Sequence, residues 1–302
     1  MYKGFTVAVL ADIHGNYLAL QACIEYARSR HIEHYLFLGD YITDHAYPDR
    51  VMKLLYYMRD RYKCRFIRGN REDYMISYRK KPEGWTDSPA QGALLSCYER
   101  LKPEDISFFE SLPISGNWQI DNAPAISYCH GSPEATRSDM RGDQKSLELL
   151  NRQPTDLLAK GHNHRRWALS YKGKRLICAG SVGVPVWGRA IPGGCSTTRG
   201  KLAQMLLLHL QNGRWMPEWL EIPYDWRGAI ENIRTSGLKE RAPIWADMLR
   251  YNVLTGLDPF GVLPKYAADL YRHETNIDVG WPQVPLEYWI RAAKVFGVEL
   301  EW

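Results

Sequence analysis

The chain opens on an apolar run at residues 5–11, rich in β-branched side chains and too continuous for a strand wetted on one face. A strand buried on both faces is expected there. Residues 16–30 then place Leu18, Leu20, Ala22, Cys23, Tyr26 and Ala27 at roughly helical spacing. The pattern repeats, with a strand at 35–38, a helix near 49–60, a strand at 64–67 and a helix from about residue 71. Such alternation predicts βαβ units and a layered α/β core.

Pro82, Gly84, Pro89, Pro103 and Pro113 surround two short helical patterns, which read as a helical excursion on one side of the sheet. Strands resume at 125–129 and, after a helix at 144–151, at 156–159. A hairpin of 167–171 with 175–178 turns at Lys172-Gly173-Lys174, and Asn212-Gly213 joins strands at 202–210 and 214–222. The second half of the core therefore reads as more antiparallel. From Asp225 the pattern becomes helical and broken by proline and glycine, with helices expected at 226–236, 242–254, 264–273 and 286–296. We accordingly expect a catalytic domain over 1–224 and a mainly helical extension over 225–302 that packs on the core, forms a lid or makes a homodimer contact. Trp281, Tyr288, Trp289 and Trp302 read as buried anchors of that extension.

Composition narrows the class without fixing the function. A chain of 302 residues with 45% hydrophobic and 24% charged residues can bury a full core and excludes extensive disorder. The net charge of +5 favours anionic ligands mildly; it leaves nucleic acid open as a partner but supplies no basic tail for it. Six cysteines, at 23, 64, 97, 129, 178 and 195, form no CxxC pair, so free buried thiols in a reducing cytoplasm are expected. No window approaches 18 consecutive apolar residues, and Asp12 and His14 arrive too early for a secretory segment. A cytoplasmic, non-membrane protein is the expectation.

Polar residues fall at strand ends. Asp12 and His14 follow the first strand in "ADIHGN", Asp40 the second in "FLGDYITD", and Asn70 the third in "RFIRGNRED". His130 follows a fourth in "SYCHGSP", and His162 and His164 a fifth in "LLAKGHNH". Each residue alone has a mundane reading: Asn70 is a good helix N-cap, and an Asp after a strand is commonly a turn residue. Together they are five glycine-flanked motifs at strand ends that can share one crevice. Four of the nine histidines and none of the cysteines lie in these motifs, favouring imidazole and carboxylate ligation over thiolate zinc. Seven side chains exceed one tetrahedral site, whereas one bridging carboxylate gives each of two ions four protein ligands.

In order and spacing these motifs, from residue 7 to 164, resemble the calcineurin-like metallophosphoesterases. "DIHGN", "GSVGVP" at 180–185 and "IPYDWRGAIENIRTSGL" at 222–238 are similar to the bacterial and archaeal predicted phosphodiesterase branch. The resemblance implies a four-layer α/β/β/α sandwich of two mixed β-sheets. It also implies Asp12, His14 and His164 on a first metal, Asn70, His130 and His162 on a second, and Asp40 bridging them. Two divalent ions and two carboxylates leave about +2 to attract a phosphoryl group, and a water shared by ions roughly 3.5–4 Å apart can attack phosphorus in line. Manganese is the first expectation for the metal, with iron, zinc, nickel or cobalt also suited to such ligands. A phosphodiester is the expected substrate, nucleotide-like groups included; a phosphomonoester or phosphoprotein is the alternative, and a non-catalytic scaffold a distant third.

The chain departs from the resemblance at one position. Where many relatives have His after the motif Asn, it has Arg71, which can stabilise charge but donates a proton poorly. Two placements are open: Arg71 in the site, as a catalytic residue beside Asp40 and Asn70, or outward and paired with an acidic neighbour. Arg137, Arg141, Arg165 and Arg166 are further cations near the histidine motifs, and His45 stands near enough to Asp40 to reach a cleft.

Overall fold

Val7 and Val9 face one side of the opening strand and Ala8 and Leu10 the other, and all four are fully buried. A computed structural model describes residues 5–194 and 199–302; Cys195 lies outside the described residues. In chain order come β1 (Thr6–Leu10), α1 (Tyr17–Ser29), β2 (His34–Phe37), α2 (Pro48–Arg61), β3 (Lys63–Phe66), α3 (Asn70–Lys80), α4 (Gly92–Arg100) and α5 (Pro103–Ser111). There follow β4 (Ser115–Trp118), β5 (Ile126–Cys129), α6 (Gln144–Asn151), β6 (Leu157–Lys160), β7 (Arg166–Tyr171), β8 (Lys174–Ala179), β9 (Gly188–Arg189), β10 (Leu202–Gln211) and β11 (Arg214–Pro223). The remainder is α7 (Trp226–Thr235), α8 (Leu238–Arg241), α9 (Trp245–Thr255), β12 (Leu257–Asp258), α10 (Leu263–Thr275), a 3₁₀ turn at Trp281–Gln283 and α11 (Leu286–Val295).

Two mixed five-stranded sheets form, in the orders β11-β10-β1-β2-β3 and β4-β5-β6-β8-β7. Each keeps three parallel strands in a row: β5-β6-β8 at the centre of the second sheet with an antiparallel strand on either side, and β1-β2-β3 in the first, where β3 is an edge and both antiparallel strands lie beyond β1. The β10–β11 hairpin is antiparallel as expected, yet it returns to the first sheet beside β1. The later strands of the two sheets are accordingly the more antiparallel, as their turn signals suggest, with four antiparallel pairings against two parallel ones. Strand β4 was not apparent, because Ser-Gly-Asn-Trp lacks the β-branched composition of a strand and makes an edge paired to β5 alone.

Val7, Val9, Leu36, Leu38 and Ile67 meet Ile126, Leu157, Ala159 and Ile177 between the sheets. Helices α1, α2, α4 and α5 cover the outer face of the first sheet through residues such as Leu20, Leu55 and Phe109, and α6 covers the second through Leu149 and Leu150. These are the four layers that the resemblance implies. Each large side chain so buried contributes roughly 1.5–3 kcal/mol.

The extension packs a cluster of its own around Met248, Leu249, Leu263 and Trp289, closed by Ala93 of α4 and by Val184 and Ala190 after β8. Parallel pairing of Leu257 with Gly188 and Asp258 with Arg189 ties it to the same loop. Tyr288 and Trp289 are buried, and Trp302 donates Nε1–H to Asp247 at 2.6 Å. Trp281 corrects the expectation: it is 43% exposed, on a 3₁₀ turn none of whose residues is buried, because it lines an open cleft. No helix among the described residues is long and apolar enough to cross a membrane.

Candidate metal centre

The parallel strands β1, β2 and β3 and, in the other sheet, β5 and β6 end at the same edge of the sandwich, and the motif residues sit in the loops that leave them. Asp12, His14, Asp40, His162 and His164 all adopt left-handed backbone conformations, with φ of 54°, 49°, 52°, 79° and 58°. Each such residue costs on the order of 1–3 kcal/mol unless its surroundings enforce it. Here the loops enforce one another: Asp12 N–H donates to the Gly39 carbonyl at 3.1 Å, His14 N–H to that of Asp40 at 3.0 Å, and Gly161 N–H to that of His130 at 3.1 Å. A Cβ at Gly69 would run into the Asp40 carboxylate, so glycine is needed for that close approach.

Asn70 is not the cap of its helix. Gly69 holds that place, and Asn70 is the first residue of α3, with Oδ1 turned 3.2 Å from His130 Nε2 and 3.0 Å from His162 Nδ1. Glu72, fully buried, accepts N–H bonds from Gly69, Asp40 and Tyr41 at 2.7–2.8 Å, which locks the β2 loop to the start of α3.

All seven motif residues converge. Asp12, His14 and His164 form one group and Asp40, His130 and His162 another, the candidate donor atoms within each lying within 4.8 Å of one another. His14 Nε2 and His164 Nε2 face each other at 2.9 Å, and His162 Nδ1 and His130 Nε2 at 3.2 Å. Asp40 Oδ2 stands between the groups, 3.8 Å from His14 Nε2 and 3.4 Å from His130 Nε2.

A family model for calcineurin-like phosphoesterases matches residues 5–187, more than half of the chain. The chain belongs to that family. It is 25% identical to the uncharacterized protein MJ0912 of Methanocaldococcus jannaschii over 242 residues, 79% of this chain and 94% of that protein. The fold is shared with the hypothetical protein PH1004 of Pyrococcus horikoshii OT3, at TM-score 0.65 and 19% identity over 84% of this chain and 99% of the other. A metallophosphoesterase of Sphaerobacter thermophilus aligns at TM-score 0.59 and 19% identity, covering 80% and 98%. The protein is thus a metal-dependent phosphoester hydrolase of divalent-metal type.

The electrostatics of this calcineurin-like phosphoesterase fit cations at both groups. Burial would lower the His130 pKa, but Asp40 and Asp12 outweigh it and push the ring up to about 9. Burial, with Asp40 beside it, lifts Asp12 to about 6 against the pull of His130 and His14. Asp40 is held well below the carboxylate range because His130, His14 and Arg71 overcome its burial. Burial and the charge of His130 bring His162 down to about 4, and burial with His14 brings His164 well below its ordinary value. Carboxylates that pull a proton onto one imidazole, beside imidazoles kept neutral, are a donor set that calls for metal charge.

Asp44 was missed by sequence reasoning. Its Oδ2 stands 2.7 Å from His14 Nδ1 as an ion-pair contact, and it accepts from Arg71 Nη2 at 3.2 Å and Trp245 Nε1 at 3.1 Å; these partners hold its pKa low despite burial. Its only sequence signal was its place four residues after Asp40, with no glycine beside it. Arg71 settles between its two expected placements: it is paired with an acidic residue, but inside, on the wall of the centre's cleft. That cleft, of about 800 Å³, is bounded also by Arg141, Arg165 and Arg189 and, from the extension, by Phe260 and Trp281. Arg137 instead lies over Tyr74 in a separate groove, and Arg166 pairs with Glu221 at 3.0 Å. His45 is buried away from the cleft.

Proposed function

We propose that the protein is a binuclear phosphodiesterase. The observation that carries the reading is the position of Asp40 Oδ2, within 3.8 Å of imidazole nitrogens from both groups, where one carboxylate can serve two ions. Asp12, His14 and His164 would hold one ion with Asp40, and Asn70, His130 and His162 the other. Bound divalent ions supply Lewis-acid neutralisation of phosphoryl charge and a nucleophile from water near neutral pH. Manganese is the ion we place first, given mixed nitrogen and oxygen donors without thiolate.

The chain's own residues do the rest. His130 gives its Nδ1–H to the Leu38 carbonyl at 2.7 Å, leaving Nε2 aimed at Asn70 and His162. Asn70 brings an oxygen donor without negative charge, which preserves the positive surplus that a phosphoryl group meets. Arg71 stays protonated and stabilises charge on the phosphoryl oxygens, so leaving groups that need no proton are favoured. A diester carries a substituent on each side of phosphorus, and a cleft of about 800 Å³ leaves room for both. Residues 1–224 form the catalytic unit in this reading, and residues 225–302 complete one wall of its cleft.

The test is metal analysis of protein purified without chelator, then turnover of bis(p-nitrophenyl) phosphate and p-nitrophenyl phosphate after chelation and reloading with each candidate ion. Two equivalents of metal and faster diester turnover are expected. Faster monoester turnover would move the reading to a phosphomonoesterase, and a single equivalent at full activity would end the binuclear assignment.

A further inference from the structure

Beside the two histidine groups, the cleft is lined by residues whose chemistry hydrolysis of a phosphoester does not require. Phe260 and Trp281 from the extension line it, and Trp281 shows 43% of its surface although large apolar side chains are usually covered. On the same cleft stand Arg165 and Arg189. Neither guanidinium makes a hydrogen bond or ion pair among the described residues; Arg165 contributes only its backbone N–H, to Asn163. Both feel the charge of Asp258, whose carboxylate instead accepts from Gly261 N–H at 3.0 Å. The other acids of the cleft are already engaged: Asp40 by the Arg71 N–H and His130, Asp44 by His14, Arg71 and Trp245, and Asp139 by Lys160 and Arg141.

An exposed indole with a phenyl ring on the same cleft suits a planar aromatic group, because stacking is tolerant of ring identity. Two uncommitted guanidiniums suit phosphoryl oxygens, which they bind as forks. A lipid would need a continuous apolar trough, and the four arginines of this cleft interrupt one. A peptide would need an exposed strand edge or a groove open at both ends. A volume of about 800 Å³ lies within the range of small-molecule sites.

We propose that this part of the cleft is a second subsite, and that the substrate is a nucleotide-type diester with at least two phosphoryl groups. Trp281 and Phe260 hold the base, Arg165 and Arg189 hold the phosphoryl group that is not attacked, and the scissile phosphorus lies at the two histidine groups. Hydrolysis consumes one water: its oxygen bonds to phosphorus, the P–O bond to the leaving group breaks, and the leaving oxygen ends with a proton from that water. The substrate class rests on the phosphodiesterase reading above, whereas the subsite itself can be tested by binding alone.

The experiment is calorimetric titration of the manganese-loaded protein with adenosine 5′-diphosphate and with inorganic pyrophosphate. The nucleotide should bind roughly ten- to a hundred-fold tighter, the increment of one stacked base. Trp281→Ala should reduce that ratio toward unity and Trp281→Phe should keep most of it, which separates stacking from a general loss of structure. Arg165→Gln with Arg189→Gln should narrow the preference for adenosine diphosphate over adenosine monophosphate by about ten-fold or more. Equal affinity for adenosine diphosphate and pyrophosphate, or a ratio unmoved by Trp281→Ala, would overturn the subsite. Trp281-dependent binding without turnover of any phosphodiester would leave the subsite standing and remove the phosphodiesterase reading.

Discussion

His14 and His130 stand on either side of Asp40 and are held in different ways. The Nδ1 of His130 is fixed by a main-chain carbonyl, that of Leu38, at the end of a central strand. The Nδ1 of His14 is fixed by a side chain, Asp44, which is itself held by Arg71 and by Trp245 from the extension. One half of the centre leans on the sheet, which can hardly move without unfolding. The other leans on a chain of side chains that any single substitution can cut.

The largest expected effect tests what the halves share. Asp40→Asn removes the charge that both histidines face, and we expect loss of at least one metal and a fall in turnover well beyond the roughly 10–100-fold cost of an outer-shell change. Near-full activity, measured on a metal-saturated diester assay, would mean that the halves do not share a ligand.

Asp44→Ala should come next and should be one-sided. It leaves the His14 ring, the Arg71 guanidinium and the Trp245 indole without their common carboxylate partner, so a loss of about 3–5 kcal/mol is expected in denaturant titration. Metal analysis should show one equivalent released, with first-site affinity down roughly 10–100-fold. Equal loss of both metals would erase the contrast between the halves.

Glu72→Gln probes the second half by its own support. A carboxylate accepts all three N–H bonds from Gly69, Asp40 and Tyr41, but a carboxamide turns its NH₂ toward at least one of them. About 1–3 kcal/mol of stability should be lost. Burial, with Asp40 nearby, lifts the pKa of Glu72 to about 7 against those three donors. Smaller again is Trp245→Phe, which deletes one N–H and keeps the ring: about 1 kcal/mol and a few-fold weaker first-site metal are expected, and an unchanged metal isotherm would detach the extension from the centre.

The same contrast explains what could be read from sequence. Asp12, His14, Asp40, Asn70, His130, His162 and His164 were legible because each falls within four residues of the end of an apolar strand and within three of a glycine, and parallel strand ends converge by topology. Asp44 lacks both marks, and Trp245 reaches it across a sequence separation of 201 residues, so no local pattern announces either. The βαβ units were legible for the same reason as the motifs, whereas β4 exists only because β5 offers it an edge. Trp281 looked like a buried anchor because an aromatic in a helical tail usually is one; its exposure follows from the cleft, a tertiary feature.

Arg71 belongs to the side-chain half, and its replacement gives the finest test. Its backbone N–H donates to Asp40 Oδ1 at 2.8 Å, a contact that any residue at this position keeps, so Arg71→His should leave the bridge undisturbed. What changes is the side chain that reaches Asp44 and the cleft. An imidazole beside a carboxylate can give up a proton near neutrality, which a guanidinium cannot. Diesters with poorly leaving alcohols should then gain by up to about ten-fold, and activated aryl diesters should lose a similar amount as a fixed positive charge disappears. The measurement is the slope of log kcat/KM against the pKa of the leaving alcohol, expected to flatten in Arg71→His. A slope equal to that of the wild type would place position 71 out of reach of the leaving oxygen, and its work would then be confined to holding Asp44 against His14.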